Sequence, residues 1–298
     1  MKELIIAINL IINGFLIGNL YALASLGLTL LFGIMGVINV AHLDVMVLCS
    51  YVMYWLTVLY GFNPFIAFII TVPLAFVIGL AMEKILVEPL YARARGHKEF
   101  VRMTLPLFFG IAMVIRHSMT HFWTGDYRAI TTWLTGKCIE LGELKIPILR
   151  ILCFVVSSIA VLSLYAFLWK TKTGKEIRAL SQNINAAKLC GIKVERIRLI
   201  SFAIGSATAG IAAYLFALIY IFYPAAAVEW VPLAFCIMVT GGLGCVEGTL
   251  LVGIIFGILD AFIGYIHSLA LSRLIIFLVM LIVLLFRPAG ILGRGITS

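Results

Sequence analysis

The chain has 298 residues, of which 63% are hydrophobic and only 12% are charged, about half the charged fraction of a soluble domain. A mean hydropathy of +1.16 excludes a soluble enzyme, a nucleic-acid binder and a disordered tail. The net charge of +9 then reads as membrane orientation, because Lys and Arg collect in cytoplasmic loops.

A helical crossing takes roughly 20 mainly apolar residues. In chain order the candidates are 4–22, 23–36, 43–60, 64–83, 101–121, 149–169, 199–219, 230–243, 249–266 and 272–286. The first two have no clear division between them, and some segments are short. The expectation is an all-α polytopic membrane protein of about eight to ten spans, folded as one domain over 1–298. Ala22-Leu23-Ala24 resembles a signal-peptide cleavage site, but the basic region is a single Lys2 followed by Glu3, and Asn9 and Asn13 interrupt the apolar run. A retained first helix is expected.

Charge sets the sidedness. Lys84, Arg93, Arg95, Lys98 and Arg102 form one cluster; Lys170, Lys172, Lys175, Arg178, Lys188, Lys193, Arg196 and Arg198 form another; Arg287 and Arg294 close the chain. The two clusters are separated by an even number of spans, so both fall on the cytoplasmic side. Parity through ten spans puts both termini there, with Lys2. The segment 123–148, with Trp123, Asp126 and Trp133, falls outside.

Several chemistries are missing. The chain has no Gly-x-x-x-x-Gly-Lys-Ser/Thr run, no His-Glu-x-x-His and no Gly-x-Ser-x-Gly, so no phosphate cradle, zinc-protease pair or serine elbow is expected in it. The six cysteines, Cys49, Cys138, Cys153, Cys190, Cys236 and Cys245, show no Cys-x-x-Cys spacing. Most lie in spans and read as small packing residues. His117 and His121 stand at i, i+4 and could be half a metal site; beside Trp123 they read as interfacial residues.

Three regions carry information. The first is a broken run, Gly33-Ile-Met-Gly36-Val-Ile-Asn39-Val-Ala41-His42-Leu-Asp44. Ionisable groups at membrane depth are costly and signal function. The second, 170–198, contains Gly174, Arg178, Ala187, Gly191 and Arg196. Ala186, Ala187, Leu189 and Cys190 make a small apolar stripe that Gly191 ends as a C-terminal cap would. A loop with no partner has little reason for such a face, so the reading is either a docking element or a solvated basic loop. The third is Thr240-Gly241-Gly242-Leu-Gly244-Cys-Val-Glu247-Gly248. The stretch 230–243 is too short to cross alone at 1.5 Å per residue, and broken backbone at depth survives only under protein or beside a water-filled cavity. The first and third regions are alike: an apolar run, glycines, an acidic residue, another apolar run. Either they are broken elements facing a pathway, with Asn39, His42, Asp44, Gly241, Gly242, Gly244 and Glu247 on it, or the glycines allow close helix packing. Asp260 reads as a helix–helix hydrogen-bond partner and Glu229 as an outer span end.

At these regions the sequence resembles the branched-chain amino acid (Liv-type) permeases of bacterial ABC importers. The resemblance runs through Gly14…Gly18-Asn19-Leu-Tyr21-Ala22-Leu23…Leu26-Gly27-Leu28-Thr29, through Gly36-Val-Ile-Asn39-Val-Ala41-His42, and through Gly174, Arg178-Ala179, Ala187, Gly191-Ile192, Arg196, Phe202 and Gly205. It continues in Gly241-Gly242-Leu243-Gly244 and Arg287-Pro288-Ala-Gly290-Ile-Leu292-Gly293-Arg294. Each motif alone is modest; five in order along the chain are specific. The resemblance implies an ABC importer permease fold in the bacterial inner membrane, not itself an enzyme. It implies three kinds of partner: a second homologous permease as a heterodimer, two cytoplasmic ATPase subunits holding ATP and Mg, and an extracytoplasmic solute-binding protein. No cofactor is expected in this chain and no metal site. The 170–198 segment would be the coupling loop, and the solute a branched-chain or related amino acid. Family members also carry urea, amides and other small polar solutes, and an ion-coupled secondary transporter is the alternative from another class. Two departures fall in the broken regions: Leu43-Asp44 stands where the family has Gly-Glu, and Glu247-Gly248 where it has Pro-Gly.

Overall fold

The structure is a computed structural model and describes residues 2–142 and 144–293; Arg294, the last residue of the tail motif, lies outside them. It is almost entirely helical. Helix α1 spans Lys2–Met35. Helix α2, His42–Tyr54, runs on through a π turn at Trp55–Leu59. Helix α3, Pro64–Met82, passes through a second π turn at Glu83–Val87 into α4, Glu88–Arg93. Helix α5 spans His97–Trp123. A hairpin of β1, Cys138–Leu141, and β2, Leu144–Pro147, pairs Cys138 with Pro147 and Ile139 with Ile146. Then follow α6 Ile148–Lys170, α7 Lys172–Gln182, α8 Ile184–Leu189, α9 Val194–Ile219, α10 Ala226–Gly241, α11 Val246–Ile266 and α12 Leu269–Phe286.

Among the described residues seven helices are long and apolar enough to cross a membrane. Helices α5 and α10 also run between the two ends of the bundle. One end carries the β hairpin; the other carries α7, α8 and the clusters around Lys84–Arg102 and Lys170–Arg196, and is called the basic end below.

The centre is α9. It is buried on nearly every side because its small residues let neighbours approach: a side-chain carbon on Gly79 of α3 would stand 2.6 Å from Ser206 Oγ, and one on Gly210 would stand 2.7 Å from Ala75 Cβ. The closest seam joins α1 to α11. A side-chain carbon on Gly14 would lie 2.6 Å from Ile258 Cα, and one on Gly18 would lie 2.7 Å from Ile254 Cα. In a membrane, where lipid tails are as apolar as any side chain, such backbone contact is what holds helices together. Asn19 adds a polar tie, donating from Nδ2 to Ser158 Oγ at 2.6 Å.

Segments 4–22 and 23–36 are a single helix of 34 residues, which corrects the parity argument. With one crossing fewer, α1 begins at the hairpin end, where Phe15 meets Phe154 of α6 (centroids 5.1 Å apart) and α1 packs on β2. It ends at the basic end, against Gly244. The first helical turn and residues 287–293 therefore lie at opposite ends of the bundle, not together, and Lys2 leaves the basic group.

Candidate functional site

The first broken region is built as follows. Gly36, at φ +66°, ends α1; its N–H donates to Phe32 O at 2.8 Å. This positive φ is one a side chain resists. Residues 36–41 then run without helix. A side-chain carbon on Gly36 would lie 3.2 Å from Val101 at the basic end, whereas His42 starts α2 against Gly27, well inside the bundle. The six residues run back from the basic end into the bundle. This is the broken element expected there, and broken backbone is tolerated because protein surrounds it. Asn39 and His42 are each 1% exposed and Asp44 is fully buried. Both polar atoms of the Asn39 amide and both His42 ring nitrogens lack a hydrogen-bond partner among the described residues, which is unusual for buried polar groups.

Asp44 is held by Arg116 of α5. The guanidinium donates from Nη2 at 3.0 Å and from Nε at 3.2 Å to Oδ1. The Arg116 side chain keeps 22% of its surface exposed.

The second broken region is a tight turn at the basic end. A side-chain carbon on Gly241 would lie 2.6 Å from the backbone of Gly248, one on Gly242 2.5 Å from Gly293 N, and one on Gly244 2.6 Å from Gly33 Cα. Gly242 and Gly244 also take positive φ, +114° and +80°. The tail lies over the turn: Ile291 N–H donates to Thr240 O at 2.8 Å and Leu292 N–H to Gly241 O at 3.2 Å. Close packing, the second reading of these glycines, describes their geometry. Glu247 is exposed and, among the described residues, accepts only a thiol contact from Cys245 Sγ at 3.5 Å. The two breaks meet at Gly33 and Gly244, but their polar residues do not. Gly33 and Gly27 are six residues apart on α1, about 9 Å along its axis, so Asp44 and Glu247 sit at different depths.

The 170–198 segment folds as two short helices. Thr171 Oγ1 accepts from Gly174 N–H at 3.0 Å and caps α7; Asn183 Oδ1 accepts from Asn185 N–H at 2.9 Å and Ala186 N–H at 3.0 Å and caps α8. Gly191, at φ +81°, ends α8 as expected, and Ile192 N–H reaches back to Ala187 O at 3.1 Å. Gly174 lies against the backbone of α6 with no room for a side chain. Arg178 donates from Nε to Leu168 O at 3.1 Å and stacks 4.0 Å over Trp169. Ala187 is buried and faces the bundle, while Leu189 at the tip is 90% exposed. Behind the tip a cavity of about 230 Å³ is lined by Glu176, Cys190, Gly191, Lys193 and Arg196. The segment is thus anchored by Gly174, Arg178 and Ala187 and presents an apolar tip in a basic surround.

Residues 10–284 match the family described as branched-chain amino acid transport system / permease component. The chain belongs to this family. The permease is 28% identical to the high-affinity branched-chain amino acid transport system permease protein BraD of Pseudomonas aeruginosa, over 99% of its own length and 98% of that protein. It is 30% identical to a probable branched-chain amino acid transport permease protein, LivH, of Methanocaldococcus jannaschii, over 95% of its length and 92% of that one. Among solved structures, PsaBC from Streptococcus pneumoniae in complex with Fab aligns over 91% of the permease and 90% of that chain, at a TM-score of 0.48 and 14% identity.

The structure adds residues that sequence reasoning missed. Arg116 was absent from the pathway set, although a lone arginine within an apolar helix is a legible signal. Arg198 does not belong to the exposed basic cluster: it is 1% exposed, pairs with buried Glu83 in the π turn of α3, and lies 4.4 Å over the Tyr91 ring. Asp260 does tie helices together, accepting from Tyr21 Oη at 2.6 Å and Ser272 Oγ at 2.5 Å. His117 and His121 are both exposed on α5.

Proposed function

We propose that this permease is the membrane subunit of an ATP-driven importer for a branched-chain or related amino acid. The observation that carries the reading is the α7–α8 segment: a capped, anchored helix pair at the basic end with Leu189 exposed at its tip. An exposed leucine in a segment that also carries Lys188, Lys193 and Arg196 suits a partner with an apolar cleft and an acidic rim. In this reading the partner is a cytoplasmic ATPase, present as two subunits holding ATP and Mg. The other partners are a second homologous permease, forming a heterodimer, and an extracytoplasmic solute-binding protein. The basic end is cytoplasmic. ATP binding shifts the permease pair between inward- and outward-open states through differential contacts, with no bond chemistry in this chain. Gly174, Arg178, Ala187, Gly191 and Arg196 shape the contact, and Asn39, His42 and Asp44 border the path of the solute.

The test is a gentle detergent pull-down of the tagged chain from its native membrane, followed by mass spectrometry. A P-loop ATPase and a second permease should co-purify, and Leu189→Asp should remove the ATPase while leaving the second permease bound. Recovery of the chain alone, active in liposomes along an ion gradient without ATP, would establish the ion-coupled transporter instead.

A further inference from the structure

Helix α5 poses a problem of depth. Its run without a charged side chain, from Met103 to Ile115, rises only about 20 Å, against a hydrocarbon core of roughly 30 Å. The next turns must therefore stand at membrane depth. They carry Arg116, His117, Thr120 and His121, of which His117, Thr120 and His121 are exposed and Arg116 is partly so. The same helix exposes Leu105, Phe109, Met113 and Val114 nearer the basic end. An exposed polar stripe at that depth does not face lipid; it faces water or another protein.

Arg116 is the one cation of that stripe. Asp44 engages its Nε and Nη2 at 3.0 to 3.3 Å, while Nη1 makes no hydrogen bond among the described residues. Asp44 itself is fully buried and sits on α2, the helix that follows the broken segment 36–41. The carboxylate thus fixes one edge of a planar fork and turns the other outward. A guanidinium is suited to such a task because it never loses its charge and matches a carboxylate in geometry.

We infer that Arg116 is the carboxylate-recognising residue of the translocation pathway, with Asp44 as its positioning residue. This rests on the importer reading and narrows it. The solute must bear a carboxylate, as an amino acid does; urea and simple amides lack the group that the free edge of the fork takes. The pathway then runs past the hairpin half of α5, and the departure Leu43-Asp44 retains the acid that the fork needs.

The experiment is uptake of labelled leucine by cells carrying the whole transporter, with complex abundance checked by pull-down. Four forms are compared: wild type, Arg116→Lys, Arg116→Gln and the double variant Asp44→Asn with Arg116→Gln. Arg116→Lys should retain measurable uptake. Arg116→Gln and the double variant should both lose at least about 30-fold, as removal of one side of a desolvated charge contact does. The double variant has no unpaired buried charge, so wild-type uptake by it would show a structural pair only and overturn the inference. In a Cys138→Ser, Cys190→Ser, Cys245→Ser background, Arg116→Cys with Asp44→Asn should react with an aminoethyl thiosulfonate. That cation should restore uptake, and the sulfonate analogue should not. Equal uptake after either reagent, or no reaction, overturns the inference even if wild type imports leucine. Absence of leucine uptake by wild type overturns the importer reading as well.

Discussion

Arg198 shows how far one residue can stray from its surroundings in the sequence. It follows Lys193 and Arg196 and reads as one more loop cation. In the fold it turns inward to Glu83, 115 positions away, and under Tyr91. No periodicity announces that pair, because the two residues share no helix and their contact exists only once α3 and α9 have packed. The same is true of Asp44 and Arg116, 72 positions apart. A buried ion pair contributes little net stability, but removing one partner strands the other. Arg198→Met alone is therefore expected to cost about 3–5 kcal/mol, and Glu83→Leu with Arg198→Met to cost much less. Thermal unfolding in detergent checks both; equal melting of the single and double variants would mean that the pair is not closed. At Gly18, where the neighbours are backbone atoms of α11, even Gly18→Ala is expected to cost at least about 1–3 kcal/mol, read in the same assay.

At the scale of elements, most of the helices were legible from hydropathy, as was the end of α8 at Gly191. The division of α1 was not: no Pro, Gly pair or polar turn separates 4–22 from 23–36, and hydropathy alone does not distinguish one long helix from two short ones. The π turns at Trp55–Leu59 and Glu83–Val87 left no compositional mark either, because they alter hydrogen-bond register and not residue type. The β hairpin at 138–147 was read only as an outer segment. Gly191→Val tests the coupling pair. A left-handed conformation costs a branched residue roughly 1–2 kcal/mol, which falls on α8 alone. ATPase co-purification and ATP-driven uptake should both drop, while circular dichroism and the melting temperature stay close to wild type. Loss of global helicity would show instead that α8 supports the bundle.

The whole molecule makes a prediction about sidedness with residues already present. Cys138 on the hairpin and Cys190 after α8 are both exposed and lie at opposite ends of the bundle. A membrane-impermeant maleimide added to intact cells should label Cys138, and Cys190 only in inverted vesicles stripped of ATPase. A reporter fused before α1 should follow Cys138. Labelling of both cysteines from the same side would refute the arrangement of α6 as the single crossing between them.

The glycine seam between α1 and α11 has a mechanical consequence. Where backbones touch, no side chain lies between them to rotate or slide, so the two helices move as one body. Helix α5 is joined differently: it meets its neighbours through side chains, chiefly along α2 and α4, with aromatic rings such as Phe108 and Phe202 6.0 Å apart. Rings can roll over one another at little cost. Relative displacement is therefore expected to be easier at α5 than across the glycine seam, which holds α1 and α11 together as a frame.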